Sequence, residues 1–477
     1  MEVGPFVALG ALVAGVLVGE RAGIGAANVA LVTGAAALGA AWFTRARVRV
    51  AIVGLALALL GVAVMGRAID GRHSTLQPAI GGRASVTLSG EVTRDPTGST
   101  YASSALVRVV LPRGGHRTLL VAASGSDAMV LRVLEAGDRV VLRGRLGPLR
   151  GGGFDDRARW EHSVGRLDQA ELLALGSPRG LPAIADAARA RVLRGMRDLA
   201  PTRRALTAGF LLGDTRDVPA DVAAEYRDSG LSHLLAVSGE NVAFVLALAG
   251  PVLRRLRLGA RTAAALAVII VFAVMTRCEP SVLRASMMAA IALLASFAGR
   301  PVSTARVLAY AIIVLLIVDP FLVHSVGFAL SCAASAGIAF GQGPIARRIP
   351  APGVVRDPLA VSLAAQLGVM PVLLAAFGSF PLITPVTNLL AAPAAETVGV
   401  YGLFASVVAF YVPALGPLLQ QPTALLVGWI SAVARAGAAV PMQLDTRGVL
   451  GVCALAAAGA SVACLRARRA VSEPAPR

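Results

Sequence analysis

The sequence predicts a polytopic α-helical membrane protein of about twelve spans, some broken or re-entrant, with a small β-barrel domain inserted on the outer side. Three observations predict it. Of 477 residues, 56% are hydrophobic and 15% charged, and the mean hydropathy is +0.72, far more apolar than a soluble protein needs to be. The apolar residues gather into runs near the roughly 20-residue length that crosses a bilayer. A long polar region over 69–200 separates the third run from the fourth and alternates in the manner of short strands.

Residues 1–68 hold three spans, near 4–20, 24–43 and 48–66. The first lacks a basic leading region and a small-residue cleavage site, so it reads as a retained span and not a signal peptide. Residues 69–180 form the outer domain. Ala84–Val92, Ser104–Leu111, Thr118–Val121 and Asp138–Leu146 alternate apolar and polar residues between turn signals. Short strands with glycine inside one of them fit an OB-like barrel, a fold that often binds oligonucleotides or oligosaccharides. Its aromatic stacking platforms are few, Tyr101, Phe154 and Trp160, so Tyr101, Arg143, Arg145 and Trp160 are its candidate nucleic-acid contacts.

Residues 181–229 are linking helices. Arg189, Arg191, Arg194, Arg197, Arg203 and Arg204 interleave with Ala, Val, Leu and Met, the pattern of an interfacial amphipathic helix or of a solvated helix face. The membrane core, 230–466, contains nine apolar segments near 231–252, 262–277, 281–298, 304–318, 321–341, 358–377, 393–412, 420–440 and 447–465. Residues 467–477 form a short polar tail.

Net charge is +18, from 45 basic and 27 acidic residues, and every basic residue is Arg. Such a bias makes the charge mild support for a nucleic-acid partner. The Arg-rich short connections alternate: Arg45, Arg47 and Arg49; Arg254, Arg255, Arg257 and Arg261; Arg300 and Arg306; Arg347, Arg348 and Arg356; Arg466, Arg468 and Arg469. By the positive-inside rule both termini of this multi-pass protein are cytoplasmic and the barrel is outside. Cys278, Cys332, Cys453 and Cys464 lack metal-ligand spacing and read as small buried hydrophobes, so no metal or cofactor is expected.

The most informative stretch is Gly230–Leu248. It is apolar enough to enter a bilayer, yet Ser238-Gly239-Glu240-Asn241 interrupts it and His233 precedes the interruption, the signature of a broken span lining a cavity. Arg284, just inside a later span, is costly in lipid and is expected to face the interior, pairing with Glu240, Glu279 or a passing phosphate. Glu240 and Glu396 oppose a plain anion pore and are expected to be paired, protonated or coupled to protons. Asp319-Pro320 reads as a helix N-cap with proline in the first turn. Pro381, Pro385 and Pro393 with Asn388 read as a second, re-entrant break.

Gly209-Phe-Leu-Leu-Gly-Asp214, Leu231-Ser-His-Leu-Leu-Ala-Val-Ser-Gly239, Glu279-Pro-Ser-Val-Leu-Arg-Ala285, and Asp319-Pro320 with Ser325, Gly327, Phe328 and Ser331 stand in this order. Gln366, Pro371, Phe377-Gly378, Asn388-Leu389 and Pro393 follow. With Gly153-Phe-Asp155 in the outer domain, the chain resembles the competence-protein ComEC family over almost its whole length. The resemblance implies a channel, not an enzyme, that passes single-stranded DNA across the bacterial cytoplasmic membrane during natural transformation. The implied path is lined by His233, Ser238, Gly239, Glu240, Asn241, Glu279, Arg284, Ser331, Gln366 and Asn388.

The implied partners are single-stranded DNA, the lipid bilayer, a separate DNA receptor outside and an ATPase, helicase or single-strand-binding protein inside; a homo-oligomer is also consistent with it. An engine is sought in a partner because the chain carries no Gly-x-x-x-x-Gly-Lys-Ser/Thr loop. Two departures stand out: Glu240-Asn241 follows the Ser-Gly pair where members often have an aliphatic residue and a histidine, and Arg277 follows Thr276 where a Gly is common. Many members also carry a metallo-β-lactamase-like domain. This sequence has no His-x-His-x-Asp-His cluster, so the reading is of a form lacking that domain, and nuclease activity is not carried over. Two other classes remain open: a secondary transporter or exporter of another polar solute using Glu240, Glu396 and His233 for protons, and an intramembrane serine hydrolase pairing Ser238 with His324.

Overall fold

The computed structural model describes residues 4–41, 46–72, 76–98, 101–111, 115–440 and 443–445. The predicted span near 447–465 and the tail at 467–477 lie outside the described residues. Two compact units divide the chain, the first from 1–218, 234–332 and 395–428, the second from 219–233, 333–394 and 429–477.

The first unit opens with α1 (Gly4–Gly19), α2 (Ile24–Ala41) and α3 (Ala46–Asp70), α3 packing against both others. Their runs of Ala, Val, Leu and Gly have no polar face to expose, as befits helices that meet lipid and each other. After the short α4 (Gln77–Gly81), the chain builds β1 (Ser85–Val92), β2 (Thr97–Gly98), β3 (Ala102–Val110), β4 (His116–Ser124), α5 (Ser126–Val133), β5 (Arg139–Gly147), α6 (Gly153–Trp160) and β6 (Ser163–Gly176).

Strand order is β1-β5-β6-β4-β3-β2, and β1 also pairs with β3, so five strands close into a barrel with β2 as an edge hairpin. Every pairing is antiparallel except β4 with β6. Alternation drives the closure: Val107, Leu119, Val121, Val140, Leu142, Leu146 and Leu167 fill the interior, and α5 adds Leu131. On β5 the intervening Arg143 and Arg145 are exposed.

Next come α7 (Leu181–Gly195), α8 (Pro201–Leu212), α9 (Ala220–Asp228), the single turn α10 (Ser232–Leu235), α11 (Glu240–Leu253), α12 (Leu258–Met275), α13 (Pro280–Phe297) and α14 (Thr304–Val318). Of the six arginines named in the linking stretch, Arg189 alone is buried, while Arg191, Arg194, Arg197, Arg203 and Arg204 are exposed. One face of α7, Ala185, Arg189, Val192 and Gly195, is buried against α12 and the later helix α18 (Leu403–Tyr411), and α8 is buried from Ala205 to Leu212. Asp319 caps as predicted, its Oδ1 accepting from Phe321 N–H at 3.0 Å, but the turn that it opens is a 3₁₀ segment, Pro320–His324. Ser325 then serves α15 (Val326–Ala346), its Oγ accepting from Phe328 N–H at 3.2 Å.

α16 (Gly353–Phe377) is followed by β7 (Ser379–Pro381) and α17 (Thr384–Thr397), a π turn (Val398–Gly402), then α18 and α19 (Gly416–Ala438); β8 (Gln443–Asp445) pairs with β7. Of the residues read as a second break, Pro381 lies in the non-helical stretch between α16 and α17, and the helix then runs on through the others. Pro385 lies in the first turn, where no donor is lost, and Pro393 is carried inside one apolar helical run, Thr384–Tyr411. The irregularity falls instead on the π turn, a wide turn typical of sites where the helix ladder is disturbed. In the second unit α15 and α16 cross at Gly337 and Gly368, whose facing backbones leave no room for a Cβ: at Gly337 it would stand 2.3 Å from the Ala364 carbonyl oxygen.

Among the described residues, six helices are long and apolar enough to cross a bilayer: Val48–Asp70, Leu258–Met275, Pro280–Phe297, Val326–Ala346, Gly353–Phe377 and Thr384–Tyr411. Four shorter apolar helices accompany them: Gly4–Gly19, Ile24–Gly39, Glu240–Leu253 and Thr304–Val318.

Candidate functional site

Two features of the first unit adjoin. One is a cleft of about 270 Å³ where the barrel meets the helices, lined by Arg94, Thr97, Ser104, Leu120 and Arg157 from the barrel and by Arg189, Asp214, Arg216, Arg277 and Glu279 from the helices. Its charges are extensively paired. Arg94, in the β1–β2 connection, reaches Glu161 at the end of α6 and Glu279 at the head of α13, the latter at 2.9 Å. Burial opposes the charge on Arg94, yet Glu279 and Glu161 together raise its pKa. Arg189, 1% exposed, sends Nη2 to Asp214 at 2.7 Å and to Asp95 at 3.2 Å, while Nη1 donates to the carbonyls of Leu212 and Met275. It therefore covers the C-terminal ends of α8 and α12, where free carbonyls favour a cation. Arg216 lies 2.8 Å from Asp214. Burial alone would push Asp214 up, but hydrogen bonds from Arg216 and the charges of Arg189 and Arg216 hold its carboxyl well below the usual range.

The second feature is the helix break. α10 ends at Leu235, the chain is non-helical through Ala236–Ser238, and α11 begins at Glu240. Gly213 joins break to cleft, since a Cβ there would stand 2.8 Å from the Val237 side chain. The Val237 carbonyl accepts from Ser281 Oγ at 2.7 Å, tying the break to the first turn of α13. One turn further along α13 stands Arg284. Its Nε donates to Ser331 at 2.8 Å, and its Nη2 lies so close to Gly239 that a Cβ there would be 2.7 Å away.

The sequence offers Arg284 three partners, Glu240, Glu279 or a passing phosphate. Of these, Glu279 serves Arg94, and no carboxylate among the described residues forms an ion pair with Arg284. Asn241 is buried and its Nδ2 donates to the Phe210 carbonyl at 2.8 Å, which anchors the start of α11, while Glu240 is exposed and feels the charge of Glu396. Ser238 is half-buried.

The remaining predicted path residues belong to the second unit. His233 Nδ1 lies 3.1 Å from the Gly230 carbonyl, Gln366 donates to the Pro381 carbonyl at 3.3 Å, and Asn388 donates to Ser362 Oγ at 3.2 Å. Each contact is a local tie of loop to helix or helix to helix.

On the barrel, Tyr101, Arg143 and Arg145 are exposed, and none of them lines the cleft. Trp160 is no open stacking platform. Its ring lies on His324 at 3.7 Å between centroids and meets Phe321 edge-on, with Arg72 over its face. The same His324 has Nε2 2.7 Å from Glu20 Oε1, so the imidazole proposed as a base for Ser238 is engaged by a carboxylate and an indole. The residues missed from sequence are Asp95, Arg189, Asp214, Arg216 and Arg277. Asp214 ends a quoted motif and Arg277 stands where a Gly is common, which were the available signals; nothing in the pattern links Asp95 to Arg189, 94 positions away.

Fold and site together define a helical membrane protein with a small inserted barrel whose loops join the helix ends through ion pairs. Residues 210–470, more than half of the chain, match the family described as Competence protein, and the chain belongs to that family. Over 236 residues it is 30% identical to ComE operon protein 3 of Bacillus subtilis (strain 168), a match covering 49% of this chain and 30% of that protein. The aligned part thus spans less than a third of the relative's own length. No solved structure matches the chain.

Proposed function

We propose that this protein passes single-stranded DNA across the bacterial cytoplasmic membrane in natural transformation, with the barrel outside and both termini cytoplasmic. Family membership supports a role in DNA uptake. The observation that carries the finer reading is Arg284: a guanidinium inside a spanning helix, held by a hydroxyl against a helix break and paired with no carboxylate among the described residues, suits a passing phosphodiester.

The barrel is read as OB-like. In such barrels the second and third strands and two flanking loops take the ligand. Here those strands are β3 and β4 and the loops are 93–101 and 148–162, and Arg94, Thr97, Ser104, Leu120 and Arg157 from these segments line the cleft. The strand would run from that cleft past Gly213 and Val237 to Arg284. The outside placement is supported by three connections predicted to lie there. Arg277 meets barrel loops, Asp319 lies 3.2 Å from His162 after α6, and Glu20 meets His324. Cytoplasmic partners supply the pull.

In a competent host with the gene deleted, wild type should restore transformants and Arg284→Gln should lower them about ten- to hundredfold, the worth of roughly 1.5–3 kcal/mol for a hydrogen bond to a charged group. Arg284→Gln at full membrane abundance and full transformation would remove Arg284 from the path. Unchanged transformation on deletion itself would remove the DNA reading. The second reading, a proton-coupled transporter of another polar solute, is favoured by exposed Glu240 beside Glu396. Transport of a small anion without salt-sensitive single-stranded DNA binding would establish it instead.

A further inference from the structure

We propose that Arg277 is the clamp that holds the outer barrel on the membrane helices. It sits in the three-residue connection between α12 and the cap of α13, with φ at +59°, and Cys278 follows at +52°. Two successive residues other than glycine in the left-handed region oppose ordinary steric preference, since a Cβ crowds the backbone there. The side chain explains why arginine is kept. Only 6% exposed, it reaches three separate segments at once: Nε lies 2.8 Å from Asp95 in the β1–β2 connection, Nη2 lies 3.4 Å from Glu135 after α5, and Nη1 pairs with Asp186 on α7 while donating to the Ala136 carbonyl at 3.3 Å.

Asp95 is the receiving hub. Its Oδ1 accepts from the Ala136 N–H at 2.9 Å and faces Arg277 as an ion pair, and Oδ2 faces Arg189 at 3.2 Å and Arg216 at 3.9 Å. Arg277 thus closes a ring joining two barrel loops, α7 and the α12–α13 turn. A lysine cannot reproduce it, because one compact ammonium does not fork toward three carboxylates. Burial disfavours the charge on Arg277, but Asp95 and Asp186 more than offset it, and its pKa rises.

The clamp inverts the usual rule for such a backbone. Arg277→Gly relieves the positive φ, so the turn keeps its shape while the joint loses its pin. The joint is separate from the cargo, so its test needs no nucleic acid. Hydrogen exchange on the full chain in detergent should show Arg277→Gly speeding exchange at least about tenfold in the β1–β2 loop and at Glu135–Ala136, with β4, β5 and α13 unchanged. Asp95→Asn, distant in sequence and nearly isosteric, should give the same confined pattern, and the double variant should add little to either single one. Arg277→Lys should fall closer to Arg277→Gly than to wild type. Unchanged exchange at the joint, acceleration spread evenly through the barrel strands, or additive effects of the two substitutions would overturn the clamp. The result does not depend on Arg284 or on transformation, so a failed DNA reading leaves it standing and its own failure leaves that reading intact.

Discussion

Asp214 sits between two guanidiniums, and its charge has a definite pH signature. Its carboxyl is held below the ordinary value, so the folded form resists protonation more than the unfolded chain does. Its contribution is therefore full above the ordinary aspartate pKa of about 3.9 and fades as pH falls toward the lower folded value. Glu135 has the opposite sign, because burial pushes it up despite Arg277, so the folded chain gains from protonating it first. The difference in unfolding midpoint between wild type and Asp214→Asn isolates the first effect. It should stay constant from pH 7 to 5 and shrink below about pH 4; a gap that closes above pH 5 would contradict the pairing. These charges also mark the limit of what was legible in the sequence. In α7 the spacing of the arginines does not tell which of them is buried: Arg191 and Arg194 are exposed, whereas Arg189 meets Asp95, 94 residues away. Trp160 looked like a base-stacking ring, and its partner His324 comes from another part of the chain.

Helices and strands were more readable, because each is governed by local periodicity. The boundaries of α12, α13 and α14 fall within a few residues of their hydropathy runs, and the barrel strands follow their alternation. Proline misled where position within the helix matters more than presence: Pro385 in a first turn costs no hydrogen bond, so α17 proceeds. Between elements, small residues decide how near two backbones come. Gly337→Val should therefore cost about 1–3 kcal/mol or more through overpacking of the α15–α16 crossing, seen as a lower thermal midpoint and reduced membrane abundance. Gly343→Ala on the same helix, where a Cβ meets open space, should leave both unchanged. Equal losses from the two would show that the crossing is not what limits packing.

At the scale of the whole molecule, the topology proposed here makes the α12–α13 connection external, and the exposed thiol of Cys278 reports it. A membrane-impermeant maleimide added to intact cells should label Cys278, and Cys278→Ser should abolish that labelling. Labelling only after the membrane is opened would invert the topology and place the barrel inside. Membrane character, the presence of a barrel and the family were legible from composition, alternation and motif order. The docking of the barrel was not, since it rests on ion pairs contributed singly by loops with no pattern of their own.

The barrel's strand register has one more consequence. β1 begins with Ser85 opposite Arg145, whereas β6 ends with Gly176 opposite Arg139, so the chain enters near one end of β5 and leaves near the other. Six residues of strand separate those points, roughly 20 Å. The two ends of the barrel strands therefore lie apart, and an excised barrel could be closed head to tail only by a linker of at least about six extended residues.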